Sequence, residues 1–472
     1  MEAGSALTLR GIRKTYPGVV AVDGVDLTLQ PGEVRALVGE NGAGKSTLAT
    51  IAFGTIKPDE GSVAANGTVG LVHQHFELVG RLRVWQNVLL GREPRKGWAI
   101  DAAAARSRVR ALAAENGLTI DPDAFVDELP VAVQQRVELL RELEREPSVL
   151  LLDEPTAALA PAEIASFFAT VTALAKRGTA VLIITHKLQE VLAYTAAVTV
   201  MRHGKIVAQF ETAKTNADEI ARAMVGGELP EVAEPKPGGG GVLLHVSNLN
   251  AGSGSSAVRN LSFDVHAGEI VGIAGVEGNG QTALGDALAG MIGFTGTIQC
   301  EGRPGIIPQD RHREALVLDW SIVENTLLGR QYRAGSRRGA LIDIEAARSD
   351  ARSIIERYDV RAASPDVAVR TLSGGNQQKI VVGRALLDEP KVVLAYQPTR
   401  GIDVGAAALV QSRLIEARNS GAAIVLISFE LDELFALSDR IVVLYRGEIA
   451  GEFARGAFDR GRIGELMAGA KA

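Results

Sequence analysis

At 472 residues the chain is too long for one ordinary domain and suits two of about 230 residues each. Its composition, 46% hydrophobic and 22% charged, is that of a globular protein, and a net charge of −6 leaves no basic footprint for nucleic acid or an anionic membrane surface. The single cysteine, Cys300, excludes a disulfide framework and any multi-cysteine zinc site; the N-terminus has no apolar signal core, and no run of about 18 apolar residues offers a membrane span.

The first clear element is an apolar run, VRALV, feeding GENGAGKST and then a helix-compatible segment. This is a complete P-loop, with Gly39, Asn41, Gly42, Gly44, Lys45, Ser46 and Thr47 as the residues facing a phosphate. Backbone N–H groups of such a loop and its helix N-terminus receive phosphate oxygens. Lys45 adds a charge on the β- and γ-phosphates, and Ser46 supplies a hydroxyl to Mg2+. Further on, DAAAARSRVRALAAENG (Asp101–Gly117) predicts an amphipathic helix. The runs SVLLLDEP and TAVLIITH predict buried strands that end in polar residues, where α/β folds place their ligand sites. Asp153 suits the Mg2+ shell, and Glu154 beside it suits polarising an attacking water. On the residues alone, Gln74 in LVHQHF and His186 in IITH fit either a satisfied core polar group or a ligand contact.

ELPEVAEPKPGGGG (Glu228–Gly241) then reads as a linker, stiffened by proline and freed by glycine. It divides the chain into 1–227, 228–241 and 242–472, and the pattern restarts directly after it. NLSFDVHAGEIVGIAGVEGNGQTAL parallels GVDLTLQPGEVRALVGENGAGKSTL, with Gly275, Gly280 and Thr282 in P-loop places but Gln281 where lysine belongs. Tyr396, Gln397 and Phe429 replace Asp153, Glu154 and His186. The expected fold class is therefore α/β, twice over.

LSGGNQQK (Leu372–Lys379) makes the resemblance specific: over nearly its whole length the chain resembles the ATP-binding cassette family. That likeness implies tandem P-loop NTPase domains, each with a RecA-like α/β core, a small β-subdomain and a helical signature subdomain. It also implies ATP and Mg2+ as ligands, Gln74 as the Q-loop residue on the metal, the Asp153–Glu154 pair at the end of its strand, and His186 sensing the γ-phosphate. Tyr16 stands where the family stacks an aromatic ring on adenine; in the second half the segment before the first strand, NAGSGSSAV, offers none.

The defects fall in complementary places. The second half keeps the signature Ser373, Gly374 and Gly375, while the first half reads LPVAVQQR, with Pro130, Val131 and Ala132 there. Proline has no N–H to donate, and added Cβ atoms hinder approach to phosphate. In this family each ATP lies between the P-loop of one cassette and the signature of another. Pairing within the chain therefore gives one site with every part and one with almost none. The likeness is strongest to ATPase subunits of bacterial sugar and nucleoside importers, leaning to the nucleoside branch through GLVHQHFELV, GVEGNGQ and IPQDRHREALVLDWSIVENTLLG. It implies two integral-membrane permease subunits docking near Gln74 and Gln309, an extracytoplasmic or lipoprotein solute-binding protein, and a place on the cytoplasmic face of the cell membrane. Riboflavin or a simple sugar is the alternative solute. Twin-cassette translation factors usually have a long charged linker and two working sites, which this chain lacks. Three departures stand out: a short interval from P-loop to Q-loop in both halves, the eroded first signature, and Ala160 in place of a polar residue.

Overall fold

The computed structural model describes residues 4–17, 19–40, 42–73, 76–156, 159, 161–227, 239–330, 337–338 and 341–469. Asn41, Gln74, Ala160 and the linker through residue 238 lie outside the described residues. The chain divides into two compact units, Met1–Leu229 and Pro230–Ala472.

In the first unit a six-stranded sheet runs in the order Lys205–Glu211, Ala197–Arg202, Val34–Gly39, Ala180–Ile184, Val149–Asp153, Val69–Val72. Only the Lys205–Glu211 edge strand is antiparallel to its neighbour. The central strands read as unbroken apolar runs because helices cover both faces of a parallel sheet; every residue of AVLII (Ala180–Ile184) is buried. Against one face packs the helix Pro161–Lys176, where Phe168 stacks on Tyr194 with ring centroids 4.0 Å apart. A three-stranded antiparallel sheet, Val19–Leu29, Leu7–Tyr16 and Glu60–Ala65, forms the second layer.

The predicted amphipathic helix spans Ala102–Glu115, with Ala105, Val109 and Ala113 on its buried stripe and Asp101 accepting from the Ala104 N–H as its cap. It packs with the helix Val131–Leu143 and the short helix Val84–Val88 around Trp85, Val109 and Leu140. This is the small helical subdomain that carries the signature position.

The second unit repeats the plan. Its sheet order is Gly305–Ile307, Val392–Tyr396, Ala423–Ile427, Ile270–Ala274, Arg440–Tyr445, Glu448–Ala454, again parallel except at the last strand. The antiparallel layer is Val258–His266, Val242–Ala251 and Phe294–Cys300. One expectation needs correcting here. NAGSGSSAV (Asn250–Val258) does not precede the first strand of this unit: it begins in the last two residues of Val242–Ala251 and ends at the first residue of Val258–His266. Alternating polar residues and the positive-φ Asn248 (φ 51°) break up the strand signal in LLHVSNLNA. No helix among the described residues is long and apolar enough to cross a membrane.

Candidate functional site

Each P-loop joins an interior strand of its sheet to a helix: Val34–Gly39 to Lys45–Phe53, and Ile270–Ala274 to Gln281–Leu288. The residue before each helix is a glycine with φ near 100°, Gly44 and Gly280. A Cβ on Gly44 would run into the Ala21 carbonyl of the antiparallel layer, so both conformation and space require glycine there. The same contact ties the layer bearing Tyr16 to the loop. Tyr16 ends its strand half-exposed, paired with Val19 across the turn, with the Lys14 ammonium 6.0 Å from its ring centre.

In the first unit the chemistry converges at the carboxyl ends of the strands. Lys45 is buried, and its Nζ donates to the carbonyls of Gly39 (2.8 Å) and Glu40 (3.0 Å). Burial pushes its ammonium below the usual lysine range, against the pull of Glu154, Asp153 and Glu40. The Ser46 hydroxyl is hydrogen-bonded to the Asp153 carboxyl, which burial pushes above the usual range. A desolvated carboxylate held beside a hydroxyl is a donor set that fits Mg2+. Thr47 lies half-buried in the next position of the helix.

Glu154 turns the chain sharply. Its φ is 47°, and its N–H donates to the Ile184 carbonyl at 2.9 Å. Such left-handed conformations cost of order 1–3 kcal/mol and cluster at functional sites. The turn brings the carboxylate within 3.1 Å of His186 Nδ1. That contact, ahead of Lys45 and Lys187, holds the Glu154 carboxyl below the usual glutamate range, so it is ionised at neutral pH. The structure thus brings Lys45, Ser46, Asp153, Glu154 and His186 together.

The second unit keeps the same backbone and changes every charge. Gln397 has φ 50°, and its N–H donates to the Ile427 carbonyl at 2.8 Å, the geometry of Glu154. The Gln281 Nε2 donates to the Val276 carbonyl at 3.2 Å, crossing the loop as Lys45 does but without charge. Thr282 Oγ1 lies 2.8 Å from the Tyr396 hydroxyl, where Ser46 meets a carboxylate. Phe429 packs edge-on against Tyr396, centroids 6.4 Å apart, in place of the His186–Glu154 pair.

The signature positions invert this pattern. Ser373 caps the helix Gly374–Leu386, its Oγ accepting from the Asn376 N–H. A Cβ on Gly375 would sit 2.8 Å from an Asp403 oxygen, and one on Gly374 2.8 Å from Arg311. In the first unit Pro130 stands at the cap of Val131–Leu143 with the same extended backbone but no side-chain cap bond. Behind both, a glutamine reaches back to the strand–helix turn of its core: Gln135 donates to the Pro155 carbonyl, and Gln378 to that of Pro398 at 2.7 Å. The QQ pair common to VAVQQR and GGNQQK was the available signal for this contact.

Sequence reasoning also missed a threonine–carboxyl pair beside each site. Thr156 donates to Glu190 at 2.6 Å, and Thr399 to Glu433 at 2.8 Å. Glu433 is fully buried, and that burial, with Glu430 nearby, pushes its carboxyl up to about 7. The folded protein therefore keeps a proton that the unfolded chain loses above the ordinary glutamate range. Stability contributed by this group is present at low pH and lost as pH rises through about 7. Denaturation followed at several pH values should show that decline, and Glu433→Gln should flatten it.

The comparisons agree with this geometry. A family model described as ABC transporter matches residues 22–157 and 258–400. The nucleoside import ATP-binding protein NupA of Lactococcus lactis is 40% identical, the match covering 99% of each chain. The guanosine import ATP-binding protein NupO of Bacillus subtilis is also 40% identical, over 98% of this chain and 97% of its own. The ribose import ATP-binding protein RbsA 1 of Streptomyces avermitilis is 39% identical, over 96% and 91%. Among solved structures, one titled RNase-L Inhibitor shares the fold with a TM-score of 0.66 at 18% identity, over 94% of this chain and 88% of that one. The chain belongs to the ABC transporter family, as an ATPase built of two cassettes in tandem.

Proposed function

We propose that the chain powers the import of nucleosides, hydrolysing ATP at the first cassette only. The observation that carries the catalytic part is the ionised Glu154 held 3.1 Å from His186 beside the Ser46–Asp153 pair, with no equivalent set among the described residues of the second unit. In this reading Lys45 leaves the loop carbonyls of Gly39 and Glu40 and turns to the β- and γ-phosphates. Glu154 takes the proton of the attacking water, and His186 orients it and senses the γ-phosphate. Ser46 and Asp153, with Gln74, would hold Mg2+, which would supply charge neutralisation on the phosphates. Gly39, Asn41, Gly42, Gly44 and Thr47 cradle the phosphates, and Tyr16 stacks on adenine.

The signature residues Ser373, Gly374 and Gly375 complete this site, the two cassettes pairing within one chain. The complementary distribution of defects supports that pairing: the intact P-loop needs an intact signature, and the first half's own cap is Pro130. Domain limits of 1–227 and 242–472, joined by 228–241, belong to the same proposal. The chain docks on two permease subunits at the cytoplasmic face of the membrane, receiving solute from an extracytoplasmic binding protein.

Nucleoside import rests on the relatives that carry it in their names across almost the entire chain. The ribose relative is nearly as similar, so solute identity is tested directly. In proteoliposomes containing the cognate permease and binding protein, labelled nucleosides should be taken up with stimulated ATP hydrolysis, and ribose and riboflavin should not. Uptake of only ribose or riboflavin overturns the solute assignment. Absence of ATP hydrolysis under all conditions overturns the catalytic one.

A further inference from the structure

Of the Mg2+ donor set proposed for the first cassette, the second keeps a hydroxyl, Thr282, and the matching glutamine, Gln309, but not the carboxylate. Ser46 bonds a carboxylate, but Thr282, in its place, bonds the buried phenol of Tyr396 at 2.8 Å. Mg2+ gives up its water reluctantly and is usually held by one or two carboxylates together with phosphate oxygens. A phenol within an apolar core stays protonated and offers no such charge. The carboxylates that act on Tyr396 through space are Glu277 and Asp286. Neither makes a hydrogen bond to Thr282 or Tyr396 among the described residues. A hydroxyl and an amide with no carboxylate are a poor donor set for Mg2+.

The phosphate cradle nonetheless persists. Gly278 and Gly280 have φ of 92° and 104°, against 85° and 100° for Gly42 and Gly44, and the helix begins at Gln281 as it does at Lys45. Two polar atoms here are buried without partners, the Oε1 of Gln281 and the Nε2 of Gln397. Their side chains belong to residues only 1% and 5% exposed. Buried donors and acceptors are nearly always satisfied, so two stranded atoms, one at the P-loop and one at the strand-end turn after Tyr396, point to a ligand that supplies both functions. The Gln397 side-chain amide N–H suits a phosphate oxygen, and the Gln281 side-chain oxygen suits a hydroxyl or a phosphate-bound water.

We infer that the second P-loop takes its nucleotide without a divalent metal. The inference rests on the reading that this chain binds ATP, and it gives each cassette a different chemical requirement. The first needs Mg2+ to offset triphosphate charge beside Asp153. The second holds phosphate through backbone N–H groups, Gln397 and hydroxyls, with Gln281 where the P-loop lysine would stand.

Counting bound Mn2+ by electron paramagnetic resonance, with the full chain saturated in ATP, tests this directly. One Mn2+ per chain is expected, with two ATP bound; two Mn2+ per chain overturns the inference. Binding of labelled ATP to Lys45→Ala isolates the second site. Its Kd should change by less than about twofold when Mg2+ is replaced by EDTA, whereas the wild-type first site should weaken about tenfold or more. Strict dependence on Mg2+ at the second site, or no ATP bound there, also overturns it. Tyr396→Asp should raise the Mn2+ count toward two. If wild-type protein binds neither ATP nor Mn2+, the failure lies with the ATPase reading itself.

Discussion

Glu154→Gln is expected to lower ATP turnover by about 10²–10⁴-fold while nucleotide binding stays within about twofold. Glutamine keeps the shape and the left-handed turn, since φ 47° and the N–H bond to Ile184 belong to the backbone. What is lost is the ionised carboxylate that His186 holds at 3.1 Å. The reverse change in the second cassette, Gln397→Glu, restores a carboxylate on the same turn but little else. Gln281 supplies no cation, Tyr396 no metal ligand, and Phe429 no imidazole. Its turnover should stay within about twofold of wild type, because groups that act as a unit give almost nothing singly. Phosphate release measured on purified transporter decides both. Wild-type turnover in Glu154→Gln contradicts the assignment.

The second large effect is expected at the signature. Ser373→Ala should reduce turnover by roughly 10²-fold if its hydroxyl and the helix N-terminus face the γ-phosphate, as loss of one transition-state donor typically does. The stability cost should be modest, about 1 kcal/mol, because the Oγ also caps the helix by accepting from Asn376. Pro130→Ala is the control. Pro130 already lacks a cap bond in the equivalent place, so neither turnover nor stability should move appreciably. Thermal melting and phosphate release on the two variants separate a catalytic role from a folding one. A fall in stability with unchanged turnover at Ser373 would contradict the composite-site proposal.

Much of this was legible because the decisive elements are short apolar strands that end in polar residues. SVLLLDEP and TAVLIITH announce both the strand and the group at its tip, and GENGAGKST announces the turn between strand and helix. The identity of the second site's replacements was legible too, since Gln281, Tyr396, Gln397 and Phe429 fall at matching places in the repeat. Their physical consequence was not. That Tyr396 reaches Thr282, 114 residues away in the chain, depends on how helix and strand pack and leaves no local pattern. The Thr399–Glu433 bond is hidden for the same reason: a glutamate on a short helix looks solvated until its neighbours bury it. Strand Val242–Ala251 was obscured locally, its apolar alternation broken by Asn248.

In this proposal hydrolysis belongs to the site built around Lys45 and to no other. A rapid-quench experiment on the assembled transporter, with the number of bound nucleotides measured in parallel, decides this. One phosphate per chain is expected in the first turnover, with the burst abolished by Glu154→Gln. A burst of two phosphates per chain, or one that survives Glu154→Gln, would contradict it.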